Sequence, residues 1–318
     1  MQKTTAVLLA IFYCVAGAPT YDERIVGGGI ASAGQFPYVV SLTENNRHFC
    51  SGFIYSERWV VTTASCVAGK IPSALRAVVG QQDFTQPDAN EEIISIYQIK
   101  IFTQYDAVNQ ANDIALIQLT KNITFSTPNG VYFINYNEVD PNNPEATVMG
   151  WGANQDGGFE STRLHYAAMD IQTGTSCGDY VTGSEFQVAT MLCAQSSATS
   201  AVGGAPCQYD EGSPLVQIVQ GKSTAVGIMS KNQGCSVDLP SVYTRLSVYY
   251  SWFLQTAGQQ SVDETTVPTP EPGTEAPTTE AVITTEEVII TTEAVEITTE
   301  LVTEEVIVTT EETVAPFI

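Results

Sequence analysis

Between Ile25 and Ala257 the chain is a succession of short apolar runs separated by turn residues. Examples are Tyr38-Val39-Val40-Ser41-Leu42, Trp59-Val60-Val61-Thr62-Thr63, Ile114-Ala115-Leu116-Ile117-Gln118-Leu119 and Ala225-Val226-Gly227-Ile228-Met229. Val, Ile, Tyr and Thr dominate them, residues whose branched or flat side chains fit a pleated surface. Many such runs at regular spacing specify an all-β sandwich or barrel. Periodicity alone takes the reading no further.

The two ends differ from this middle. Residues 1–17 read as a secretory signal: Lys3 gives the early positive charge, Ala6 to Val15 the apolar run, and Ala16-Gly17-Ala18 the small residues of a cleavage site. That run is too short to span a bilayer, and no later stretch is long and apolar enough to do so. Cleavage would remove Cys14 and leave six cysteines, which in an oxidising compartment suggests three disulfides. A short segment, 18–24, leads to Arg24-Ile25. From residue 258 to 318 there is no Lys or Arg and there are fourteen Asp or Glu, and Thr-Thr-Glu recurs five times. Such low complexity and charge cannot bury enough surface to offset chain entropy, so the tail is expected to be disordered. Clustered Thr with Pro also suits an O-glycosylated, mucin-like stalk. The whole chain carries a net charge of −23. That acidity excludes nucleic acid as a partner, since phosphates attract Lys and Arg.

The motifs carry more. Cys207-Gln208-Tyr209-Asp210-Glu211-Gly212-Ser213-Pro214-Leu215, Trp59 through Thr62-Thr63-Ala64-Ser65-Cys66, Asn112-Asp113-Ile114-Ala115-Leu116 and Arg24-Ile25-Val26-Gly27-Gly28 occur together. Together they resemble the nucleophile loop, histidine motif, aspartate motif and activation site of the trypsin/chymotrypsin family of serine proteases. The resemblance runs from about 25 to 257. It implies two six-stranded Greek-key β-barrels with a cleft between them, a boundary near residues 125 to 135, and a closing helix over Ser247–Ala257. It implies disulfides Cys50–Cys66, Cys177–Cys193 and Cys207–Cys235. It also implies cleavage after Arg24, after which the amino group of Ile25 pairs with Asp210. In the uncut chain Asp210 instead contacts Ser41 and His48.

Two positions depart from the family pattern. Ser65 stands where the histidine base belongs, and a hydroxyl is no base near neutral pH. Glu211 stands where the nucleophilic serine belongs. Its carboxylate lies beside the backbone N–H groups of residues 209 and 211, which in the family stabilise a developing negative charge. Tyr209 replaces a glycine that permits an unusual backbone conformation. Neither His48 nor His165 matches the missing base. Asp113, present but with nothing to orient, is expected to accept hydrogen bonds from Ser65 and Ser230. An Asp113/Glu211 carboxylate pair for other hydrolysis finds no supporting sugar site. A metal site lacks its usual ligands, and no cofactor is implied. In a serine protease of another fold, loss of the serine or the histidine alone costs roughly 10⁶ in turnover.

The primary specificity pocket also departs, with Ala205 where an aspartate would select basic side chains and Lys231 where a tryptophan would follow Ser230. Asn122-Ile123-Thr124 is the only sequon for N-glycosylation. These features suggest a secreted, non-catalytic serine protease homologue. It would act by binding an extracellular protein (a protease, an inhibitor or a surface component) as cofactor, decoy or regulator of a protease cascade. Serine endopeptidase activity of the family kind and a mucin-like component of an extracellular layer are the alternatives.

Overall fold

A computed structural model describes residues 26–126, 131–136, 140–141, 143–172, 177 and 186–260. The expected signal, the Arg24-Ile25 cleavage site and the tail beyond Gln260 lie outside the described residues. Strands β2 (Val39–Glu44), β3 (Arg47–Ser56), β4 (Trp59–Thr62), β5 (Leu75–Val79), β6 (Glu92–Ile101) and β7 (Ala115–Leu119) close one barrel in the order β2-β3-β4-β7-β6-β5. A second set follows: β8 (Glu145–Gly150), β9 (His165–Ile171), β10 (Met191–Ser196), β11 (Pro214–Val219), β12 (Lys222–Lys231) and β13 (Ser241–Arg245). It runs β9-β10-β13-β12-β11-β8, and pairing of β8 with β9 closes it. The short β1 (Gly29–Ile30) adds to the edge of β9. The fold is thus two closed six-stranded barrels, all neighbours antiparallel. The expected boundary between barrels falls in the segment 120–144 between β7 and β8.

Unbroken apolar runs on these strands follow from burial on both faces. Successive side chains of a strand point to opposite sides of the sheet. On β4, Val60 faces the interior of the first barrel and Val61 the seam between barrels; on β3, Ile54 and Phe53 divide in the same way. On β11, Leu215 enters the second barrel and Val216 the seam. The seam is the largest cluster and contains Phe53, Tyr55, Leu116, Trp151, Ile228 and Phe253.

Two disulfides join neighbouring segments of the described chain, Cys50–Cys66 and Cys207–Cys235, with Cα atoms 6.2 and 4.5 Å apart; Cys177–Cys193 is also formed. The closing helix is shorter than the sequence suggests. Leu246–Tyr249 forms a 3₁₀ turn, and α2 covers only Tyr250–Ala257. A short α1, Ala64–Val67, precedes it in the chain. After α2, Gly258 takes φ +80° and the chain turns back on the first barrel. There the Gln260 side chain accepts from Tyr136 N at 3.3 Å and donates to Tyr55 O at 2.8 Å and Ile134 O at 2.9 Å.

Candidate functional site

Three segments meet at the mouth between the barrels. β4 ends at Thr62 and turns into α1, whose start is held by the Cys50–Cys66 bridge and which presents Ser65. The turn before β7 carries Asp113; it is bent by Asn112 at φ +52°, whose side chain accepts from the Tyr249 hydroxyl at 2.8 Å. The loop between β10 and β11 carries residues 207 to 213 and is braced by Cys207–Cys235.

Asp113 is fully buried and saturated with donors. Its Oδ1 accepts from Ser65 N at 2.7 Å; its Oδ2 accepts from the Ser65 hydroxyl at 2.8 Å and the Ser230 hydroxyl at 2.6 Å. Burial pushes its carboxyl above the usual range, and these donors act the other way. Ser65 and Ser230 therefore occupy the side of Asp113 that faces the mouth.

Glu211 turns back on its own loop. Its Oε2 accepts from Tyr209 N at 2.8 Å, and its Oε1 accepts from the Asn232 side chain at 3.2 Å. Its own backbone N–H also stabilises the carboxylate. The carboxylate thus lies on the amide of residue 209. Burial raises its pKa, with these donors opposing the shift. Tyr209 sits at φ +76°, a conformation that costs a non-glycine residue about 1–2 kcal/mol. The residue is held at both of its backbone polar groups, by Glu211 at the N–H and by His48 Nε2 at the carbonyl, 3.0 Å away.

The structure corrects one expectation here. Ser41 and His48 do pair, with Ser41 Oγ 2.8 Å from Nδ1, but His48 does not reach Asp210. A carbonyl can only accept, so Nε2 carries the proton and Ser41 donates to Nδ1. Burial lowers the His48 pKa to about 4, so the ring is neutral and suits the neutral Tyr209 carbonyl. Asp210, fully buried, accepts instead from Gly152 N at 2.7 Å and Cys207 N at 2.9 Å. Its carboxylate packs so tightly that a Cβ on Gly152 would lie 2.0 Å from Oδ2, which explains the glycine there. Burial pushes the Asp210 pKa up to about 7, against those two amides. The proposed partner, the amino group of Ile25, lies outside the described residues; Val26 beside it pairs with Ala205, whose N–H donates to Val26 O at 3.0 Å.

The mouth itself is a cleft of about 450 Å³ lined by Ser65, Gln110, Glu211, Ser230, Lys231 and Asn232. Lys231 donates to Asn109 O at 2.5 Å, and partial burial lowers its pKa against the pull of Asp113 and Asp106. Of the three expected pocket residues, Ser230 and Lys231 line the cleft, whereas Ala205 is buried away from it. Asn232 and Asn109 act here without a prior signal in the sequence; a polar residue directly after Lys231 was the only available hint. Among the described residues no cluster of His, Cys, Asp or Glu could hold a metal ion, and no helix is long and apolar enough to cross a membrane.

If Glu211 holds the Tyr209 amide, its acceptor oxygen matters more than its charge. Glu211→Gln is therefore expected to keep the stability of the native chain in urea unfolding. Glu211→Leu removes the side-chain acceptor of a half-buried N–H and should cost about 1 kcal/mol. Equal stability of the two variants would show that the bond contributes nothing.

The family model described as Trypsin matches residues 25–253. "Trypsin alpha" of Drosophila melanogaster is 31% identical over 267 residues, covering 81% of this chain and 99% of that protein. "Hypodermin-B" of Hypoderma lineatum is 33% identical over 263 residues, covering 79% of this chain and 97% of its own. "Trypsin alpha-4" of Lucilia cuprina is 31% identical over 261 residues, covering 79% and 97%.

Proposed function

The chain belongs to the trypsin family, and from that premise we propose that it is a secreted, non-catalytic member that works by binding another extracellular protein. The observation carrying this reading is the Glu211 carboxylate on the Tyr209 amide. The family's chemistry needs those amides empty to receive a developing oxyanion. Here the Tyr209 amide already donates to a carboxylate, 2.8 Å away. At the other side of the cleft the Ser65 hydroxyl points at Asp113 and supplies no proton acceptor for a nucleophile. Three disulfides keep the scaffold closed, whatever the chemistry. A partner protease, inhibitor or surface component would meet a cleft bearing the polar side chains Ser65, Gln110, Glu211, Ser230, Lys231 and Asn232.

Cleavage after Arg24 is part of the proposal. It would supply an ammonium at Ile25 for the buried carboxylate of Asp210, whose described partners are only backbone amides. Ordering of the surrounding loops by that ion pair would make the binding face switchable.

Relatives named trypsins favour a second reading, peptide hydrolysis. A fluorophosphonate probe separates the two. The full chain, cut after Arg24 and treated beside active trypsin, is expected to show no covalent adduct by mass spectrometry. An adduct on any serine would overturn the binding reading and make proteolysis the function.

A further inference from the structure

We propose that Asn122 carries an N-linked oligosaccharide, placed at the end of the first barrel that is remote from the cleft. Asn122 and Thr124 are exposed, while Ile123 between them is buried and its N–H donates to Glu57 O at 2.7 Å. Thr124 N donates to Glu92 Oε1 at 2.9 Å. The segment is thus an anchored knob that offers the Asn side chain and the Thr residue of the sequon to solvent. The Asn122 side chain donates from Nδ2 to Glu57 Oε2 at 2.8 Å, a bond between two exposed residues.

The chemistry fits that arrangement. Transfer forms a bond between Nδ2 and the anomeric carbon of a sugar. The bond from that carbon to the phosphate oxygen of a glycosyl diphosphate donor breaks, and one amide proton is lost. The substituted amide keeps one N–H and so remains a donor, and the bond at stake lies between two exposed side chains.

Two antiparallel strands set the position. β4 runs from Glu57 and Arg58 to Thr62 and on to Ser65; β7 runs from Asp113 to Leu119 and on to Asn122. β7 thus leads from the cleft end to the Asn122 end, and β4 runs the opposite way, from beside Asn122 to the cleft. β7 alone spans about 17 Å at ~3.4 Å per residue. A sugar at Asn122 therefore covers the Glu57 and Lys121 surface and leaves the face bearing Ser65, Glu211 and Lys231 open to a protein partner.

This inference rests on the secreted reading, and the test separates them. The full chain is produced with its own N-terminal residues in a eukaryotic secretory cell and treated with peptide-N-glycosidase. The expected result is a faster-migrating band and conversion of Asn122 to Asp in the peptide mass. Asn122→Gln and Thr124→Ala should lose the shift, and Thr124→Ser should keep it. Secreted, disulfide-bonded protein with no shift overturns the glycan and leaves the secreted reading standing. Protein held in the cytosol with free thiols overturns both. Sugar present in all three variants places the modification elsewhere and overturns the assignment.

Discussion

On the proposed reading, Ser65→His together with Glu211→Ser is expected to turn the chain cut after Arg24 into a target of fluorophosphonate labelling. Neither substitution alone should do so. With Glu211→Ser the Tyr209 amide is freed, but the new hydroxyl has no base. With Ser65→His the base can meet Asp113, already within 2.7–2.8 Å of the residue it replaces, but there is no nucleophile and the Tyr209 amide stays filled. Nucleophile and base act as a unit, so the double variant should label on the order of 10⁴-fold faster than either single one. The rate is read by mass spectrometry against time. A double variant that stays unlabelled while unfolding like the native chain would place the block in Asn232 and Lys231, which also crowd the cleft. The labelling experiment thereby distinguishes two lost side chains from a remodelled mouth.

The buried charges predict an unusual pH dependence of stability in the uncut chain. Asp210 is an acid whose pKa rises from 3.8 to about 7 on folding. The folded state therefore holds its proton more tightly. The associated stability is complete below pH ~4 and is lost as pH rises through ~7, about 4 kcal/mol in all. His48 is a base whose pKa falls from 6.5 to about 4. The folded state holds its proton less tightly, so stability is lost as pH falls from ~6.5 to ~4, about 3 kcal/mol. The two opposing slopes overlap and offset between pH ~4 and ~6.5. The raised carboxyls of Asp113 and Glu211 add to the slope of Asp210. The groups facing Asp210 are the Gly152 and Cys207 amides, Glu211, and the buried Tyr243 hydroxyl.

Asp210→Asn removes one slope and keeps the other. The stability of this variant relative to the native chain should rise by about 4 kcal/mol between pH 4 and 8, measured by urea unfolding at each pH. A constant difference across that range would show that Asp210 is not protonated in the fold. Cleavage after Arg24 should act in the same direction as the substitution. An ammonium beside the carboxylate returns its pKa toward the ordinary range and abolishes the loss above pH ~6. If cut and uncut chains share one pH profile, Ile25 does not reach Asp210.

Much of this architecture is legible in the residues themselves. Runs such as Ile114 to Leu119 announce strands buried on both faces, and the seam and barrel interiors divide them residue by residue. The contacts of Ser65 and Ser230 with Asp113 follow from where the motifs fall. Other features depend on backbone angles that composition does not reveal. The turn of Glu211 onto the Tyr209 amide requires Tyr209 at φ +76°, and the same rotation aims its carbonyl at His48 and takes that ring from Asp210. The first turn of the closing segment tightens to 3₁₀ although Ser247 to Ala257 reads as one helical stretch. Asn232 enters the cleft, and the Asn109 carbonyl meets Lys231, through loop paths that no spacing encodes.

The Gln260 side chain reaches three main-chain groups on and beside β3, and the Tyr55 hydroxyl holds Gly258 O at 2.7 Å. The folded unit therefore does not stop where α2 stops. Trimming by an exopeptidase that removes residues beyond 260 leaves every one of these bonds in place. Removal of three residues more opens Tyr136 N, Tyr55 O and Ile134 O to water at the edge of the aromatic seam. The last turn of α2 would then lose its anchor. Gln260 is therefore as much a part of the folded unit as any residue of α2.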